Sequence, residues 1–71
     1  MTIYTEISTL QQRIARTEVE CETWRAAGRQ ENYLEAYSMV EALETQLDQL
    51  QRTARRLAAE LATMAAPRLT I

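Results

Sequence analysis

Ten positions decide most of what this chain can become. Tyr33, Ala36, Val40, Leu43, Leu47, Leu50, Ala54, Leu57, Leu61 and Met64 follow alternating steps of three and four, and all ten are apolar. A repeat averaging 3.5 residues keeps one stripe of an α-helix facing a partner helix under left-handed supercoiling. A weaker copy of the pattern precedes it. Ile3, Ile7, Leu10, Ile14, Thr17, Cys21 and Trp24 follow steps of four and three, with Thr17 the one polar member.

The break between the two blocks is short and chemically marked. Ala26-Ala27-Gly28 reads as a last helical turn followed by the residue that best tolerates a left-handed backbone. Thr2, Thr5 or Ser8 offers the first helix a cap, Ser8 and Gln11 having capping-box spacing, and Asn32 with Glu35 offers the second a start. Pro67 lacks the N–H that a helix interior needs, so the second helix is expected to stop near Ala66. The expected helices are 5–27 and 32–66, with a frayed tail over 68–71, in one domain spanning 1–71. The fold class is all-α: an antiparallel two-helix hairpin that dimerises into a four-helix bundle or coiled coil.

A reversal at residues 28–29 sets Trp24 on Tyr33, Cys21 on Ala36, Thr17 on Val40, Ile14 on Leu43, Leu10 on Leu47, Ile7 on Leu50 and Ile3 on Ala54. The same rule sets Arg13 beside Glu44 and Arg16 beside Glu41, opposite charges flanking the seam. Such exposed pairs add only about 0.2–1 kcal/mol each, enough to favour one register over a slipped one.

Dimerisation enters through size. A 71-residue chain has a core worth only about 3–5 kcal/mol, and small proteins make up the difference with disulfides, a metal or a second copy. The single cysteine, Cys21, closes no intrachain bridge, and the absence of histidine argues against a structural zinc set. Eleven alanines and one glycine favour long helices over a dense aromatic core. The expected partner is therefore a second copy, or else another helical protein. The expected interface is Val40, Leu43, Leu47, Leu50, Leu57, Leu61 and Met64.

Chemistry is sparse. No cofactor is expected. There is no glycine-rich phosphate loop, and without histidine there is neither a Ser-His-Asp set nor a Glu-x-x-His di-metal pattern. Glu18, Glu20, Glu22, Glu41 and Glu44 read as a solvated acidic face, and Cys21 as a small core residue on the apolar stripe. Trp24, Tyr33 and Tyr37 read as core packing near the turn. The chain is therefore not expected to be an enzyme. Arg52, Arg55 and Arg56 form the one basic patch, while residues 18–48 carry a net charge of −6 from eight acids and two arginines. That is a poor funnel for phosphates, and no nucleic-acid partner of consequence is expected. No apolar run reaches membrane-spanning length, and Met1 to Thr5 lacks the pattern of a signal peptide, so the default expectation is a cytoplasmic protein with no membrane partner.

The layered pairing of Ile3–Trp24 with Tyr33–Ala54 resembles the Rop-type proteins, dimeric hairpins that form a four-helix bundle and bind an RNA pair. This chain lacks their basic face, so the resemblance implies the assembly without the RNA activity. Over residues 20–44, Glu20-Cys21, Gly28, Tyr33 and Ala42-Leu43-Glu44 are similar in spacing to the helical-hairpin co-chaperones of type III secretion needle subunits. That resemblance implies a heteromeric co-chaperone that pairs with a TPR-like chaperone, and the second helix here is longer than such hairpins require. The leading functional expectation is a non-catalytic protein–protein interaction module, a small dimeric scaffold, adaptor or regulator. The co-chaperone stands second, and a weakly nucleic-acid-associated regulator third.

Overall fold

The computed structural model describes residues 2–65. Two helices account for nearly all of them: α1, Ile3–Ala26, and α2, Gln30–Ala65. They pack against each other as a hairpin only 17 × 15 Å across.

Local chemistry explains each boundary. Thr2 caps α1 with an extended backbone, and its hydroxyl oxygen accepts from the Thr5 N–H at 3.2 Å. Its carbonyl accepts from Thr5 and Glu6, so the helix starts two residues before the expected position. At the other end Gly28 takes φ +73°. The Gly28 N–H bonds the Arg25 carbonyl at 3.1 Å and the Arg29 N–H bonds the Trp24 carbonyl at 2.9 Å. Those two bonds make a complete Schellman motif. Its usual apolar clasp is replaced by the Arg29 guanidinium, 5.8 Å from the centre of the Trp24 ring.

The turn hands over to α2 faster than the sequence suggests. The Tyr33 N–H already bonds the Arg29 carbonyl at 2.9 Å, so Asn32 lies inside the first turn rather than before it. Pro67, Ala66 and the 68–71 tail lie outside the described residues.

The core is the expected seam, one layer deep. Leu10, Ile14, Cys21, Ala36, Val40 and Leu43 are buried together, with Trp24, Tyr33, Leu47 and Leu50 packed against them. Ala54 is buried at the level expected for Ile3, close to the start of α1. The half-buried Thr17 costs little at its seam position, because its hydroxyl donates to the Arg13 carbonyl at 2.8 Å. No side chain is fully enclosed among the described residues, as two helices cannot surround a residue on every side.

The expected cross-helix ion pairs do not form. Arg13 and Arg16 make no bridge to Glu44 or Glu41, and every ion pair among the described residues lies within one helix: Glu22–Arg25, Asp48–Arg52 and Glu60–Arg56. Long exposed side chains gain little by leaving water for a partner across the groove, whereas neighbours three or four residues apart already share a helix face. Register is carried by the apolar layers.

Candidate interaction surface

The stripe that builds the core does not end where the core ends. Ala54 is 7% exposed, whereas Leu57, three residues on, is 42% exposed, and Leu61 and Met64 reach 65% and 75%. The cause is the unequal length of the helices, 24 residues against 36. Helix α1 runs out opposite Ala54, and residues 55–65 continue past it, with no other described element beside them, for about 16 Å at 1.5 Å per residue.

The seven expected interface residues therefore divide. Val40 and Leu43 are buried beneath α1, and Leu47 and Leu50 are half-buried in the same seam. Leu57, Leu61 and Met64 lie in the overhang with their side chains in water. Fully burying a leucine or methionine side chain is worth about 1.5–3 kcal/mol, and an isolated three-turn helix is marginal in water. The overhang carries three such side chains in one continuous line. Scattered exposed apolar residues are ordinary, as with Val19 and Met39 elsewhere on the hairpin.

The charged residues of this segment face away from the line. Helical geometry places Arg52, Arg55 and Arg56 on the side of α2 remote from Leu57 and Leu61. Arg52 pairs with Asp48 at 3.0 Å and Arg56 with Glu60 at 4.0 Å, so two of the three arginines of the basic patch are matched by acids on their own helix. Such matching reduces what the patch can offer a phosphate.

The hairpin tip differs in kind. Trp24 and Tyr33 are half-buried, and Tyr37 stacks at an angle on Tyr33 with ring centres 6.0 Å apart. An open hollow of about 310 Å³ lies between Trp24, Gly28, Arg29 and Tyr33. Arg29 lies over the Trp24 ring there, and Arg25 beside it is held by both carboxylate oxygens of Glu22, at 2.8 and 3.0 Å. This bidentate pair holds the Glu22 carboxyl below its ordinary range, first through the hydrogen bonds and then through the charge of Arg25. The cation–π contact and the Glu22–Arg25 pair are the two tip features that residue spacing did not reveal, although Glu22 and Arg25 stand at an i,i+3 separation that permits their pairing.

Cys21 is a free, buried thiol on the seam between Ala36 and Val40. Among the described residues no three His, Cys, Asp or Glu side chains are grouped so as to hold a metal ion, and no helix is long and apolar enough to cross a membrane. No protein-family model, characterised protein or solved structure matches the chain, so its likenesses to Rop-type and co-chaperone hairpins rest on the residues quoted for them.

Proposed function

We propose that this chain is a non-catalytic protein–protein interaction module, a small scaffold, adaptor or regulator that acts through the heptad seam of α2. A single observation carries the reading: the stripe buried over Ala36–Val40–Leu43 continues without a fault into the exposed Leu57, Leu61 and Met64. A sequence under no demand for a partner has no reason to keep three large apolar side chains in that phase on an unaccompanied helix. Helix–helix contact is the chemistry such a line serves, in the manner of groove-seeking amphipathic helices.

The occupant we favour is a second copy. Of the two assemblies expected from the sequence, the coiled coil fits the surface left open better than the four-helix bundle. A bundle would need the seam residues of each hairpin to face a central core, yet Leu10, Ile14, Val40 and Leu43 are 4–8% exposed within one chain. Little of that face remains for a second hairpin to cover.

The experiment is a double substitution read by light scattering and circular dichroism. Leu57→Asp with Leu61→Asp is expected to give a monomer that keeps the helical signal of the clasped segment and loses that of residues beyond Ala54. Arg25→Gln at the far end is the control and leaves assembly intact. A double variant still dimeric at low micromolar concentration would place the interface elsewhere. A wild type still monomeric at several hundred micromolar would give the seam to a different protein, and the co-chaperone-like adaptor would then lead.

A further inference from the structure

We infer that two copies join tail to tail, the two α2 overhangs pairing antiparallel about a two-fold axis near Leu61, into a rod with an acidic hairpin tip at each end. The inference rests on the self-pairing just proposed and adds its geometry, which three features of the chain constrain.

The first is the occupied seat. Along residues 33–54 the face of α2 that bears the stripe is covered by α1. A second α2 lying on residues 57–64 in the parallel sense would have to continue back along that face, through the volume α1 fills. In the antiparallel sense its body runs outward past Ala65 and meets no described residue of the first copy. Steric overlap with α1 alone removes the parallel arrangement.

The second is self-complementarity. A two-fold axis near Leu61 brings Leu57 of each copy towards Met64 of the other and packs the two Leu61 side chains beside one another. Each line of three apolar residues covers the same line in its partner, which is the condition for a closed isologous contact. The third is charge. Ala58 and Glu60 flank the line in the centre of the contact; the two-fold brings the two Glu60 carboxylates to one edge, where each is offset by Arg56 of its own helix at 4.0 Å. Arg52, Arg55 and Arg56 point away from the line, so the arginines of the two copies are not pressed together.

The contact is short, about ten residues from each copy, well under the roughly 800 Å² per partner of a standard stable interface. The association is accordingly reversible and micromolar rather than obligate. Its consequence is spacing. With the axis near Leu61, the two copies of Gln30 lie about 95 Å apart at 1.5 Å per residue. The Trp24–Tyr33 tips, each in the segment 18–48 of net charge −6, then face opposite directions.

Spin labels test the arrangement directly. In a Cys21→Ala background, Ala62→Cys and Thr45→Cys each place one label on an exposed position of α2. Tail-to-tail pairing gives a short distance across the dimer at position 62 and one of about 50 Å at position 45. A short distance at 45 with a long one at 62 would mean side-by-side hairpins, overturning this geometry while leaving self-association in place. Short distances at both would mean parallel pairing, which overturns the geometry in the same way. No dipolar signal at either site up to several hundred micromolar would overturn the self-pairing itself. Small-angle scattering on the unsubstituted chain gives a check independent of the labels. The maximum dimension should rise towards about 95–100 Å with concentration, and a dimer no longer than the monomer would sink the proposal.

Discussion

Helix α2 contains its own comparison. Residues 36–43 and 57–64 carry the same heptad phase on one continuous helix, yet Val40 and Leu43 are 7% and 4% exposed while Leu61 and Met64 are 65% and 75%. The helical pattern does not distinguish the two segments, and only the reach of α1 does. Periodicity therefore says that a face is meant to be covered, and the length of the neighbouring element says whether the same chain covers it. In the clasped half, stability and the seam are one thing. In the overhang they separate, so substitutions in the two halves should fail in different ways.

The largest effect is expected at the centre of the clasp. Leu43→Ala removes the most buried side chain of the core, at a cost of about 2–5 kcal/mol. For a hairpin whose core is worth about 3–5 kcal/mol, that takes the chain close to unfolding at 25 °C. Leu61→Ala, the same chemical change at 65% exposure, should leave the clasp intact. Thermal melts at fixed concentration separate the two, and dilution series read the association. If Leu61→Ala lowered the melting temperature of the dilute monomer as much as Leu43→Ala, the two halves would be one cooperative unit and the comparison would break. Hydrogen exchange refines it: amides over 36–50 should be protected at every concentration, and those over 57–64 only as concentration rises.

The turn is next in size. Gly28 holds φ +73°, and a Cβ added there would meet nothing within 4 Å. The cost of Gly28→Ala is thus backbone conformation alone, about 1–2 kcal/mol. Gly28→Asn should cost less, since asparagine visits the left-handed region more readily. Because the turn closes the clasp and touches nothing in the overhang, the dissociation constant of folded protein should not move. A change in assembly with Gly28→Ala would show that the tip takes part in it.

A smaller effect is expected at Cys21. Its thiol is a free, buried core group, so Cys21→Ala should cost about 1 kcal/mol, as for a small buried side chain. Assembly should not respond to reducing agent. A dimer that dissociated on reduction would place the contact on α1 and not on the overhang proposed for it.

Much of this arrangement was legible in the residues, and the exceptions have two causes. The two helices, the seam with its one polar member and the overhang of α2 follow from spacing, because apolar burial is proportional to area and tied to phase, and the left-handed turn follows from the glycine itself. Helix α2 starts at Gln30 rather than at Asn32, since the Schellman bonds of Gly28 and Arg29 lead straight into the helix and overrule the capping preference of Asn32. Arg13–Glu44 and Arg16–Glu41 were expected and do not form, and Arg29 over Trp24 was not expected. Charged side chains at a surface choose among several nearby partners at differences below about 1 kcal/mol, and spacing along the chain does not resolve such choices. The overhang was legible for the opposite reason, since no local choice removes three apolar side chains from water.

The smallest effect expected lies in the tip's ion pair, and its sign can be worked out. The Glu22 carboxyl sits below its ordinary 4.5 because Arg25 donates two hydrogen bonds to it and adds its charge. A carboxyl with a depressed folded value binds its proton more weakly in the folded chain than in the unfolded one. Its contribution is therefore fully present above about 4.5 and fades as pH falls through the folded value. Both side chains are well over half exposed, so water and salt screen the pair, and its influence is confined to a slight acid limb. Glu22 also lies near the carbonyl end of α1, where a negative charge is disfavoured, while Arg25 in the last turn is favoured there. Glu22→Gln should thus flatten the acid limb of the melting curve below 4.5 and change little at neutral pH, whereas Arg25→Gln should be the more harmful of the two at pH 7. Melts of both variants between about pH 3 and 7 at low and high salt decide it. If Glu22→Gln proved worse than Arg25→Gln at neutral pH, the carboxylate would be supporting more of the tip than one exposed pair.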